Sequence, residues 1–66
     1  MEYLITKIIG DERTIISRHN TKDEAMQAGK IAWDSAEKGA VISCISGNTN
    51  SDGKIIGKYT LHNTWF

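Results

Sequence analysis

The chain has 66 residues, 39% of them hydrophobic, and its eight basic and eight acidic residues cancel to a formal net charge of zero. A chain this short forms one domain with a thin core, and the lack of a basic surplus argues against a DNA- or RNA-binding domain. The single cysteine, Cys44, excludes an internal disulfide, and one cysteine with two separated histidines supplies no spaced set of zinc ligands.

The sequence predicts a cytoplasmic protein. Met1 leads directly into a strand-like segment and not into a secretory leader. No apolar run approaches the ~20 residues that a membrane-spanning helix needs. A free cysteine is typical of proteins in a reducing compartment. We therefore expect a cytosolic location and no contact with a membrane.

The first part of the chain predicts a β-hairpin. Residues 2–9 and 14–19 are rich in β-branched and aliphatic side chains, which is typical of strands. The polar break at residues 10–13 contains Gly10 and suits a hairpin loop.

Residues 22–38 predict one amphipathic helix with a signal at each end. Thr21 and Glu24 fit a capping box, in which the threonine oxygen accepts a hydrogen bond from the Glu24 N–H and the Glu24 carboxylate accepts one from the Thr21 N–H. Gly39 is suited to end the helix in the left-handed conformation. The apolar side of the helix is small at its centre, so its backbone is expected to lie close to the sheet. That side consists of Ala25, Met26, Ala28, Gly29, Ala32, Trp33 and Ala36.

The C-terminal half predicts a second hairpin. Residues 40–46 and 54–62 have the composition of strands. The loop between them ends in Asp52-Gly53, a strong turn dipeptide. Residues 63–66 either continue the last strand or form a short aromatic tail. The predicted order of elements is ββαββ.

Two hairpins joined by one helix predict an α+β fold, with a four-stranded, mainly antiparallel sheet and the helix packed on one face. Strand order 2-1-3-4 makes every neighbouring pair antiparallel and is the first choice, and order 1-2-4-3 is the second. On a regular fourth strand, Tyr59, Leu61 and Trp65 share one face. We therefore expect Tyr59 and Leu61 to meet the small side of the helix.

Each predicted strand carries two adjacent aliphatic residues, at positions 8–9, 15–16, 41–42 and 55–56. Neighbours on a strand point to opposite faces, so each pair sends one aliphatic side chain to each face of the sheet. Because one helix covers only one face, the second face needs a cover. The alternatives are the tail Trp65-Phe66, a second copy of the chain, a different partner, or loops over the strand ends.

No motif predicts catalysis. The sequence places no nucleophile and no orienting partner beside His19 or His62. Cys44 lies in the middle of a predicted strand, where a buried thiol is inert. The loop 48–53 offers oxygen atoms like the first half of a calcium loop, but Tyr59 stands where the bidentate glutamate belongs. We expect no enzyme, no metal site and no cofactor.

Residues 39–47 (GAVISCISG) and 52–57 (DGKIIG) carry a resemblance. The C-terminal half resembles small uncharacterised proteins encoded in mobile elements of Gram-positive bacteria. This resemblance implies a cytosolic accessory protein. It implies no activity and assigns no functional residue.

The leading functional hypothesis is a non-catalytic protein-interaction module that acts through the sheet face away from the helix, with a homodimer as one form of that interaction. The candidate contact residues are large apolar side chains, namely Ile8, Ile9, Ile16, Ile31, Ile56 and Trp65. The alternative is a nucleic-acid accessory module that uses Arg18, Lys54, Lys58 and Tyr59, with the tyrosine ring stacking on bases.

Overall fold

A computed structural model describes residues 2–66 and contains four strands and one helix in the order ββαββ. The elements are β1 (Glu2–Ile9), β2 (Glu12–His19), α1 (Lys22–Asp34), β3 (Val41–Thr49) and β4 (Ile55–Trp65). The strands form one sheet in the order β2-β1-β3-β4, and every neighbouring pair is antiparallel. The predicted α+β fold and the first-choice strand order are confirmed. No helix within residues 2–66 has the length and apolar character that crossing a membrane requires.

The loop of the first hairpin is shorter than predicted. Ile9 pairs with Glu12, which leaves only Gly10 and Asp11 between the strands. Gly10 has a φ of +59°, whereas Asp11 has a negative φ. This is the pattern of a type II′ turn, whose twist matches the twist of the strands that it joins.

The helix begins where the sequence predicts. Thr21 has an extended backbone, and its side-chain oxygen accepts a hydrogen bond from the Glu24 N–H at 3.2 Å. Asp23 and Glu24 lie in the first turn, where the positive end of the helix dipole favours carboxylates. The threonine half of the predicted capping box is therefore confirmed.

The helix ends at Asp34, four residues before the predicted end. The hydroxyl of Ser35 donates to the Ile31 carbonyl at 3.2 Å, beside the ordinary helical bond from the Ser35 N–H at 3.3 Å. Such a side-chain bond competes with continuation of a helix. Gly39 does have a positive φ of +92°, but it belongs to a separate turn at residues 37–40. Its predicted role as the helix terminator is wrong.

The main core lies between α1 and one face of the sheet. Its buried members are Ile5, Ala25, Ile42 and Cys44. Trp65 packs against this cluster from the end of β4 and reaches the helix backbone at Gly29. A Cβ atom at Gly29 would lie only 2.3 Å from the Trp65 ring, so the absence of a side chain there makes this contact possible. The predicted close approach of helix and sheet is confirmed.

A bulge in β4 overturns the predicted partners of the helix. Residues 61 and 63 pair with consecutive residues of β3, so His62 is an extra residue in the strand. An extra residue reverses the face that the following side chains occupy. Trp65 therefore faces α1, whereas Leu61 lies on the opposite face and is 58% exposed. Tyr59, 46% exposed, likewise lies outside the core under the helix, and the prediction that these two residues meet the helix is wrong.

The face away from α1 also has a buried centre. Leu4 and Ile45 are cross-strand partners, and neither has any exposed surface. Beside them, the hydroxyls of Thr6 and Ser43 are buried and hydrogen-bonded to each other at 2.5 Å. This face is therefore covered by the chain itself, and the cover is not the aromatic tail, because Trp65 lies on the helix side.

Candidate binding cleft

Two arginines of β2 lie on the sheet face away from α1. Arg13 pairs with Ile8, and Arg18 pairs with Leu4. Ile8 and Leu4 are four residues apart on β1 and so point to the same face. On a regular strand, side chains five residues apart point to opposite faces. Ile16 has no partner in β1, and the bulge that it forms returns both arginines to one face.

Arg18 connects β2 to the turn between β3 and β4. Its Nη1 atom donates to Glu2 Oε2 at 3.1 Å and to Thr49 Oγ1 at 2.8 Å, and its Nη2 atom donates to the Gly53 carbonyl at 3.2 Å. The Arg18 and Glu2 side chains are 39% and 40% exposed, so solvent screens the ion pair and it adds little to stability. Its consequence is geometric, because it holds the turn against the edge strand.

Arg13 makes a second connection across the same face. Its guanidinium carbon lies 5.1 Å from the centre of the Tyr59 ring on β4, which is a cation–π geometry. The ion pairs within residues 2–66 are Lys7–Glu37 and Arg18–Glu2, so Arg13 has no carboxylate partner there. β2 and β4 are the two edges of the sheet. The contacts Arg13–Tyr59 and Arg18–Gly53 therefore connect β2 to the opposite edge strand and to the turn that precedes it.

A cleft of about 860 Å³ lies between β2 and the β3–β4 turn, and we call it the β2 cleft. Its lining is six consecutive residues of β2, three residues of the turn and the first residue of β4, namely Arg13–Arg18, Asp52–Lys54 and Ile55. Six consecutive residues of β2 border the cleft, so it runs along that strand. β2 pairs only with β1, so the N–H and C=O groups on its outer side have no partner strand.

The β2 cleft is basic although the chain is neutral. Arg13, Arg18 and Lys54 line it, against one acidic residue, Asp52. Asn50 holds the turn in shape, because its side-chain oxygen accepts from the N–H groups of residues 52 and 54, both at 3.0 Å. Three aliphatic side chains complete the lining, and these are Ile15, Ile16 and Ile55. The cleft therefore combines cationic groups, aliphatic surface and a free backbone edge.

The six contact residues predicted from sequence do not form one surface. Only Ile16, which is 42% exposed, lines the β2 cleft. Ile31 is 68% exposed on α1, whereas Trp65 is half-buried against Gly29. Ile8 and Ile9 lie at the end of β1, and Ile56 lies at the start of β4.

Sequence reasoning missed Arg13, Ile15, Asp52 and Ile55 as neighbours in one site. Arg18 and Lys54 were named for nucleic-acid binding, and the structure does bring both into the cleft. No local signal in the sequence places residues 13–18 beside residues 52–55. The adjacent pair Ile15-Ile16 marks the position of the bulge, but the same pattern occurs in the regular part of other strands.

Both histidines are hydrogen-bonded to serines. The Nε2 atoms of His19 and His62 lie 2.8 Å from the hydroxyls of Ser17 and Ser46, respectively. Ser46 is only 4% exposed, so a substrate has no access to its hydroxyl. Cys44 is buried, and burial raises the pKa of its thiol. Among residues 2–66, no three His, Cys, Asp or Glu side chains come together as metal ligands.

Comparisons of the chain with protein-family models, with curated proteins and with solved structures found no match. The resemblance of residues 39–57 to proteins of mobile elements therefore stays a prediction.

Proposed function

We propose that the chain is a protein-interaction module that binds an extended polypeptide segment in the β2 cleft. The observation that carries this proposal is that six consecutive residues of an edge strand, β2, line the cleft. An extended segment can add to such an edge as a further strand, with backbone hydrogen bonds for affinity and side-chain contacts for selectivity. Because Ile16 is an extra residue, these six residues occupy five strand positions and span about 16 Å, enough for a segment of about five residues.

β2 carries features that protect an edge strand from indiscriminate pairing. Charged side chains and bulges on an edge strand prevent uncontrolled pairing between sheets. β2 has a bulge at Ile16 and charged residues at 12, 13 and 18. A partner therefore has to complement these charges before it can pair with β2.

Under this proposal, a homodimer would form through the β2 cleft and not through the sheet face away from α1, which the sequence predicted. The centre of the sheet face away from α1 is already buried, at Leu4 and Ile45, so little of it is free for a second copy. The β2 cleft is the place that we propose for any self-association. Mass measured by light scattering over a range of concentrations shows whether a second copy binds, and loss of a dimer in an Ile16→Lys variant would assign it to the cleft.

The direct test is selection of binders from a random ten-residue peptide library, followed by mapping of the winners on ¹⁵N-labelled protein. We expect the largest amide shifts at residues 13–18 and 52–55. Ile16→Lys, in the cleft, should abolish binding, whereas the matched Ile31→Lys on α1 should not. Circular dichroism checks that both variants are folded. Recovery of no selective peptide, or shifts confined to another surface, would refute the proposal.

The nucleic-acid alternative receives less support from the geometry. The exposed Tyr59 is available for stacking, but the Arg13 guanidinium already lies over its ring. An oligothymidylate titration at low salt tests this alternative on the same labelled protein. We also propose a cytosolic location, which the free, buried thiol of Cys44 supports.

A further inference from the structure

The chemistry of the cleft specifies more than an extended ligand. We infer that it selects a segment with two acidic side chains four residues apart and an aliphatic residue midway between them. This inference rests on the proposed function, because it names the ligand class of the same cleft.

The acidic preference follows from the charges that line the cleft. Arg13, Arg18 and Lys54 outnumber Asp52. Arg13 has no carboxylate partner within residues 2–66, so its guanidinium can bind one from a ligand while it stays over the Tyr59 ring. Charge-assisted hydrogen bonds between guanidinium and carboxylate are stronger than neutral ones. A neutral or basic segment would leave this charge without a counterpart.

The spacing follows from the bulge at Ile16. Because Arg13 and Arg18 lie opposite Ile8 and Leu4, their Cα positions are separated by four strand steps, about 13 Å. Residues i and i+4 of an extended ligand point to one side and are separated by the same distance.

Ile15 lies midway between the arginines on the same face, opposite Thr6, and is half-buried. An aliphatic residue at i+2 of the ligand would face it. Arg18 keeps Glu2 as an ion-pair partner, so Arg13 should contribute more of the charge selectivity.

The probe is the capped peptide Thr-Glu-Thr-Val-Thr-Glu-Thr, titrated into ¹⁵N-labelled protein in 50 mM NaCl. One control peptide replaces both glutamates by glutamine. A second control has the same composition but places the glutamates five residues apart, so that they point to opposite sides. We expect shifts at residues 13–18 and 52–55 with the probe, and binding at least about tenfold weaker for each control, because charged hydrogen bonds are lost.

Variants and modified peptides test the geometry. Arg13→Gln should weaken probe binding at least about fivefold, whereas the matched Lys30→Gln on α1 should leave it unchanged. Two further peptides carry N-methyl groups, one on the odd-numbered and one on the even-numbered residues of the probe. One of them should lose binding and the other should keep it, because alternate residues of an added strand direct both backbone groups toward β2.

The outcomes separate this inference from the proposed function. Equal binding of the glutamine peptide at the cleft overturns the acidic preference and leaves the proposed function intact. The same holds when library peptides map to the cleft but the probe does not bind. If neither library peptides nor the probe bind, both proposals fail. If oligothymidylate shifts the cleft residues and no peptide does, both are replaced by nucleic-acid binding.

Discussion

Replacement of Gly29 by alanine tests the contact that joins α1 to the end of β4. In the interior of an exposed helix, alanine is more favourable than glycine by about 1 kcal/mol. At this position the new Cβ would lie 2.3 Å from one carbon of the Trp65 ring and 2.5 Å from another. The substitution therefore sets a helix preference against a steric conflict.

We expect the cost of the steric conflict to outweigh the gain in helix preference. To restore a 3.4 Å contact, the ring would have to retreat by about 1.1 Å, although it is packed against the core. Overpacking of this kind costs about 1–3 kcal/mol. After subtraction of the helix preference, we expect Gly29→Ala to lower the free energy of unfolding by up to about 2 kcal/mol. In a domain of this size, that corresponds to a fall in Tm of up to roughly 16 °C.

Removal of the Trp65 ring should reverse the sign of the effect that Gly29→Ala has on stability. In a Trp65→Leu variant the ring is absent, so Gly29→Ala should stabilise the protein by about 1 kcal/mol. Urea unfolding followed by circular dichroism at 222 nm measures all four proteins of the cycle, and the exposed helix substitution Gln27→Ala is the control, with an expected effect within about 0.5 kcal/mol. An equal stabilisation by Gly29→Ala in both backgrounds would show that the ring does not lie on Gly29.

Three further predictions concern the core and two titrating groups. Leu4→Ala should cost about 2–5 kcal/mol because Leu4 is fully buried, whereas Leu61→Ala, at a residue 58% exposed, should cost much less; urea midpoints compare the two. Cys44 should react with a thiol reagent at pH 8 only when the domain opens, so labelling should be slow in buffer and fast in urea, and fast native labelling would contradict its burial. The hydrogen bond and charge of Lys7 hold the pKa of Glu37 below its usual value, so the stability that this pair contributes is present above the usual glutamate pKa and is lost as the pH falls through the lowered one. The difference in urea midpoint between the wild type and Glu37→Gln should accordingly be largest near pH 7 and disappear in acid, and a difference that grows in acid would refute the assignment.

Local patterns along the chain are sufficient to predict most of the fold. Threonine and glutamate at the start of α1, the strand-rich segments and the glycine-containing turns predict the order ββαββ. The requirement that neighbouring strands be antiparallel then leaves two simple strand orders, one of which is observed. These features are predictable because they depend on residues close together in sequence: the capping oxygen of Thr21, for example, reaches an N–H only three residues away.

The faces of β2 and β4 could not be predicted in the same way. Alternation assigns faces only on a regular strand, and one extra residue reverses every assignment beyond it. The bulges at Ile16 and His62 appear only in the register with a neighbouring strand. They explain why Leu61 points away from the helix while Trp65 points toward it, and why Arg13 and Arg18 share a face.

The β2 cleft depends entirely on tertiary structure. Its two walls come from residues 13–18 and 52–55, which are separated by a helix and a strand in the chain. Arg18 and the Gly53 carbonyl that it binds are 35 residues apart. Bulges increase the local twist of a strand, and twist is a property of the paired sheet and not of one segment alone. The local sequence therefore determines which elements form, whereas strand register and sheet twist determine which side chains meet in the cleft.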